Sequence, residues 1–166
     1  MEPPRQFDAL EDDDVQVLRK TLLDVVSLTE DRDAEGIARA AQSQLELLHT
    51  ELDSEEQSTI DTLAQMLSDP DWSLPPSTRR YVGSVLICFA EANRLPGATA
   101  SALKQYAPGV LAELLASDLG SEIEGYRAFR DFRDQLRGRR RLSPQGREQH
   151  LLQKRRKLRV RIQGRS

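Results

Sequence analysis

Four groups of residues in this chain have side chains that could do chemistry. The first is the pair of histidines, His49 and His150. A zinc site needs three or four convergent ligands, and neither histidine has a partner at ligand spacing. The second is Cys88, the single cysteine. A thiol is a nucleophile only where it is exposed and activated by a base. Cys88 falls in the most apolar run of the chain, so its expected role is a small buried side chain. Carboxylates form the third group. Glu11 to Asp14 are consecutive at a helix start, where they point in different directions and serve as cap and solvated charge. Glu122 and Glu124 stand two apart, a spacing that puts them on different helix faces and rules against a catalytic pair. With no phosphate-binding glycine loop and no Ser/His/Asp constellation, the sequence predicts a protein that is not an enzyme, with no metal and no cofactor.

The fourth group is cationic. Arg137, Arg139, Arg140 and Arg141, then Lys154, Arg155, Arg156, Lys157, Arg159 and Arg161, have almost no acidic neighbours. Such a segment binds phosphate electrostatically and with little regard to base sequence, and the planar guanidinium fork suits phosphate oxygens. It holds no aromatic side chain on which a base could stack, which argues against specific single-strand recognition. These ten residues are the predicted polyanion-binding set. Arg127, Arg130 and Arg133 add a basic ridge upstream, interleaved with Asp131 and Asp134 for ordinary surface pairing.

The net charge of -3 hides a strong segregation. Residues 1 to 70 hold eighteen acids and five bases, residues 71 to 134 eight and seven, and residues 135 to 166 one acid, Glu148, against twelve bases. An acidic body with a basic tail is the expected organisation. The tail can seek an outside polyanion or fold back on its own acidic half. With 166 residues the chain can bury a real core, although aromatic residues make up only 5% of it. One cysteine excludes an intrachain disulfide, and the acidic start after Met1-Glu2-Pro3-Pro4 predicts no secretory signal. A cytoplasmic protein without an integral membrane segment is expected.

The elements that must position these residues read as helices. Arg79 to Ala90 is the one long apolar run: Val82, Val85, Leu86 and Phe89 share a face, and Tyr81, Ile87 and Cys88 make the other faces apolar too. A helix apolar almost all round lies inside a bundle, and this one is too short to cross a membrane. Around it, apolar stripes predict helices from Asp12 through Thr29, from Ala34 to Leu52, and from Asp53 or Ser54 to Ser68, where Pro70 stops the last. Pro75 and Pro76 suit the start of the central helix. A further helix near Thr99 or Ser101 is kinked or divided by Pro108-Gly109, and a last packed helix runs from Asp118 or Ser121 to Gly138. Trp72 is expected to cap one end. Residues 1–12 read as disordered, 13–137 as a single all-α bundle of about six helices, and 138–166 as a basic, partly flexible tail. Leu151, Leu158 and Ile162 permit a helix there, while Lys157 to Ile162 alternates with the period of a strand.

Two stretches resemble the YkvA-like family, small bacterial helical proteins built on a domain of unknown function. They are Asp69-Pro70-Asp71-Trp72-Ser73-Leu74-Pro75 with the apolar helix to Phe89, and Glu122 to Arg133. The resemblance covers about Asp69 to Arg133 and implies the helical scaffold. In that family the apolar helix leads into Pro-x-Asp-x-Ile-Pro-Asp and then Gly-x-x-Asp-Asp. Here the matching regions read Ala92-Asn93-Arg94-Leu95-Pro96-Gly97 and Tyr106-Ala107-Pro108-Gly109, without those acids.

Three functions follow as expectations. The first is a non-enzymatic bacterial helical protein whose basic arm binds a polyanion such as RNA or DNA. A second is a protein–protein adaptor that uses the acidic N-terminal helices. In the third the tail associates peripherally with anionic lipid, Leu158, Val160 and Ile162 being interleaved with cations.

Overall fold

The computed structural model describes residues 3–28, 32–139 and 141–164. Among them are eight α-helices and no strand beyond one isolated bridge, so the fold is all-α. In chain order they are α1 Asp12–Leu23, α2 Ala34–Leu47, α3 Ser54–Ser68, α4 Pro76–Ala90, α5 Gly97–Leu103, α6 Gly109–Asp118, α7 Gly120–Arg137 and α8 Pro144–Gln163. The described chain gathers into two compact units. One comprises the chain up to Ser68 together with Leu74–Asp118, and the other Asp69–Ser73 with everything from Leu119.

In the first unit α4 plays the central part that its composition predicts. Every residue from Val82 to Phe89 is buried, and α2 and α3 pack on it. Each fully buried Val, Leu, Ile or Phe contributes about 1.5–3 kcal/mol relative to exposure. Local signals set the helix starts. Asp33 accepts a hydrogen bond from the Gly36 N–H at 2.6 Å. Asp53 and Glu56 form the reciprocal capping box, at 2.7 and 3.0 Å. Asp14 accepts from the Glu11 N–H at 3.0 Å, making Glu11 the cap of α1. Helix α1 ends at Leu23, earlier than its stripe suggested, and a 3-10 turn follows at Val26–Leu28. Thr29, the far end of that stripe, lies outside the described residues. Helix α2 likewise stops at Leu47, and Leu52 is buried in the turn before α3.

The disorder expected over residues 1–12 is corrected for the described part. The Arg5 N–H donates to Gln105 O at 2.8 Å, and the Ala107 N–H donates to Arg5 O at 2.9 Å. Arg5 also grips Asp14 through both terminal nitrogens, at 2.6 and 3.2 Å. That hydrogen bond, with the Glu11 N–H, holds the Asp14 carboxyl below the ordinary carboxylate range. Paired prolines remove donors, yet one backbone exchange and one ion pair suffice to fix the segment. Elsewhere in the unit, Asp118 accepts from Arg19 Nε at 3.0 Å and from the Tyr81 hydroxyl at 2.7 Å, tying α1, α4 and α6 together.

In the second unit α8 replaces the partly flexible tail. It is a continuous helix of 20 residues, with Pro144 in its first turn and the Ser143 hydroxyl accepting from the Gly146 N–H at 3.0 Å. The start signal Ser143-Pro144 is ordinary helix chemistry. The strand-like alternation from Lys157 to Ile162 gives way because Leu151, Leu158 and Ile162, spaced seven and four apart, line one helical face.

Candidate polyanion interface

Helix α7 presents a stripe with helical spacing: Glu122, Tyr126, Phe129, Arg133 and Leu136. Trp72 inserts against it, its ring 5.6 Å from Tyr126 edge-on and 5.2 Å from Phe129. Trp72 is fully buried, so its indole N–H must find an acceptor; it donates to Glu122 Oε1 at 2.9 Å. Arg159 of α8 donates to the same carboxylate oxygen, and its guanidinium lies 4.3 Å from the Trp72 ring centroid. Its other terminal nitrogen reaches Trp72 O at 3.4 Å and Ser73 O at 3.3 Å. Ser73 is the one described non-glycine residue with a positive φ, 55°, and that left-handed turn brings the two carbonyls to the guanidinium.

A second pairing runs alongside. The Tyr126 hydroxyl donates to Asp69 at 2.9 Å, and burial with that acceptor raises the phenol's pKa. Arg133 pairs with Asp69 at 2.8 Å and with Asp71 at 3.4 Å while lying 5.4 Å from the Phe129 ring centroid. Where α7 and α8 meet, a Cβ on Gly125 would fall 2.6 Å from Ile162 Cδ1. Glycine therefore allows the close approach.

This network divides the ten predicted cations. Arg159 has only 17% of its side chain exposed and is spent on Glu122. Arg155 is half-buried and donates to Asp71 O at 2.7 Å. Lys154 is half-buried, with its ammonium 5.4 Å from the Phe132 ring centroid. Arg137 is exposed and loosely paired with Asp134 at 3.7 Å. Arg140 lies outside the described residues. Arg139, Arg141, Arg156, Lys157 and Arg161 are exposed, and their side chains have no hydrogen-bond or ion-pair partner among the described residues. Arg159, Arg155 and Lys154 are thus engaged within the unit, where they hold α8 in place. The reason is burial: a half-buried guanidinium without a partner is costlier than one shared with carboxylate and carbonyl oxygens.

The outward face of α8 is what remains. Gln153, Arg156, Lys157, Val160 and Arg161 recur at the three- and four-residue spacing of one stripe, all exposed. Arg156 to Arg161 spans about 7.5 Å of helix axis. Val160, 70% exposed, sits among these cations. Sequence reasoning missed Glu122 and Arg133 as partners. The signal was present: both charges are in register with the apolar stripe Tyr126, Phe129 and Leu136, where an unpaired charge is not tolerated. Arg147, outside the predicted set, has a buried Nε with no hydrogen-bond partner among the described residues.

Among the described residues no group of His, Cys, Asp and Glu could hold a metal ion, and no helix is long and apolar enough to cross a membrane. Compared with family models, curated proteins and solved structures, the chain finds no match.

Proposed function

We propose that this protein is a non-enzymatic helical protein, resembling the YkvA-like family in scaffold, that binds a nucleic-acid backbone through the outward face of α8. A cytoplasmic setting suits that reading. The observation that carries it is the set Arg156, Lys157 and Arg161, cations exposed on one helical stripe without a partner among the described residues. Charge segregation supports it. Asp69–Ser73 and the chain from Leu119 hold fifteen bases against seven acids, whereas the rest holds nine against twenty. An α-helix fits the major groove of a duplex, and phosphate contacts of this kind place a protein without reading bases.

Fluorescence anisotropy of the full chain with a labelled DNA duplex tests the proposal. Three phosphate contacts predict a salt slope of about -2.7, a loss of roughly fortyfold in affinity between about 50 and 200 mM salt. Changing Arg156, Lys157 and Arg161 together to Gln is expected to abolish binding. Because these side chains are exposed, unfolding stability should stay within about 0.5 kcal/mol. Undiminished binding by the triple variant would remove the proposal. Sedimentation with anionic vesicles but not with duplex would replace it by membrane association, in which Val160 enters the lipid. Capture of a basic protein by the acidic unit would instead favour the adaptor role.

A further inference from the structure

A different part of the molecule carries a second site. Within the first unit, the last turn of α2 with Leu48, the end of α4, helix α5 and the segment leading into α6 line a half-open cavity of about 240 Å³. Leu48, Phe89, Leu103 and Leu111 form apolar walls. Three polar side chains join them, Gln44, Lys104 and Tyr106. Among the described residues the Gln44 amide and the Lys104 ammonium have neither a hydrogen bond nor an ion pair, and the Tyr106 hydroxyl has no hydrogen bond. A mostly apolar hollow with a few unspent polar groups is the usual form of a small-molecule site. The volume exceeds the roughly 150 Å³ that admits a benzene ring and falls below the roughly 300 Å³ where drug-sized pockets begin. The one charged lining group is a cation, so the complementary ligand is a short hydrocarbon that ends in an anion.

We propose that this cavity binds a medium-chain aliphatic carboxylate, with its chain against Leu48, Phe89, Leu103 and Leu111 and its head group on Lys104. Neither the polyanion interface nor any of its residues takes part.

Cys88 lines the same cavity and is the chain's single cysteine, so occupancy can be read directly. Cys88 is 3% exposed, and burial pushes its pKa up to about 12, so slow modification by N-ethylmaleimide is expected. The experiment measures calorimetric affinity and the Cys88 modification rate with butanoate, hexanoate, octanoate and decanoate. Affinity is expected to rise about fourfold per added CH₂ until the cavity is filled, and octanoate should slow modification in proportion to saturation. Lys104 is exposed, so Lys104→Glu should fold normally. It is expected to weaken octanoate about fivefold while leaving octanol unchanged. Ala100→Phe, which fills the cavity from α5, is expected to remove both ligands; circular dichroism establishes that this variant is folded. Absence of saturable octanoate binding to the unaltered chain would overturn the proposal. So would octanoate binding without Cys88 protection, or equal octanoate affinity in Lys104→Glu.

Discussion

Helices α4 and α8 are opposite solutions to the same problem of holding a helix in a compact unit. In α4 the interior from Val82 to Phe89 is buried on every side, with no charged residue among them. In α8 Leu158 is the one fully buried residue, and the helix is held in its own unit by Arg159 on Glu122 and Trp72, Arg155 on Asp71 O and Lys154 over Phe132. Hydrophobic burial is non-directional and tolerates small shifts of neighbours. Ionic and cation–π packing demands particular partners at particular places. Helix α4 therefore depends on volume, and α8 on pairing.

The sharpest break of this contrast is at α4. Leu86, fully buried, should cost about 3–4 kcal/mol as Leu86→Ala, measured by urea unfolding. At α8 the corresponding change is Glu122→Leu, which keeps volume but strands the Arg159 guanidinium and the Trp72 N–H. A loss of about 3 kcal/mol is expected, and Arg159→Leu added to it should restore the part due to the stranded guanidinium, while the Trp72 N–H stays without its acceptor. If the double variant were no more stable than Glu122→Leu alone, pairing would not be what holds α8.

A titration sharpens the α4 side. The Cys88 pKa rises from 9.0 to about 12 because burial disfavours the thiolate. The folded state thus keeps its proton where the unfolded chain has lost it, and stability is present below pH 9 and declines as pH rises toward 12. Between about pH 9 and 11 the chain should lose about 2 kcal/mol more than Cys88→Ala does, read from unfolding at each pH. Equal pH slopes would contradict the burial. The smallest effect concerns Ser73, whose positive φ presents the carbonyls to Arg159. Ser73→Gly relieves the left-handed strain and should raise stability by about 0.5 kcal/mol, visible as a small rise in Tm.

Much was legible in the primary structure, because local signals carry it. The capping box of Asp53 and Glu56, the Pro75-Pro76 start of α4 and the Pro108-Gly109 division are decided within a few residues of each position. The all-round apolar character of α4 announced its burial, and the charge asymmetry announced a cationic surface. The disorder read into residues before Asp12 failed because Arg5 pairs with Gln105 and Ala107, about a hundred residues away, and no local pattern reveals that. The tail was misread for a related reason. Its helical stripe of Leu151, Leu158 and Ile162 is sparse, and the stripe matters only once Glu122 and Trp72 await Arg159.

Residue types and spacing alone determined that this chain would be helical, that Cys88 would be buried and that positive charge would gather near its end, since each follows from short-range sterics, periodicity and counting. Only the tertiary structure decided which cations are available. Arg159, Arg155 and Lys154 were claimed by partners up to 87 residues away in sequence or by an aromatic face. Arg156, Lys157 and Arg161 were left on the solvent side, because a helix turns 100° per residue and neighbours in sequence face opposite environments.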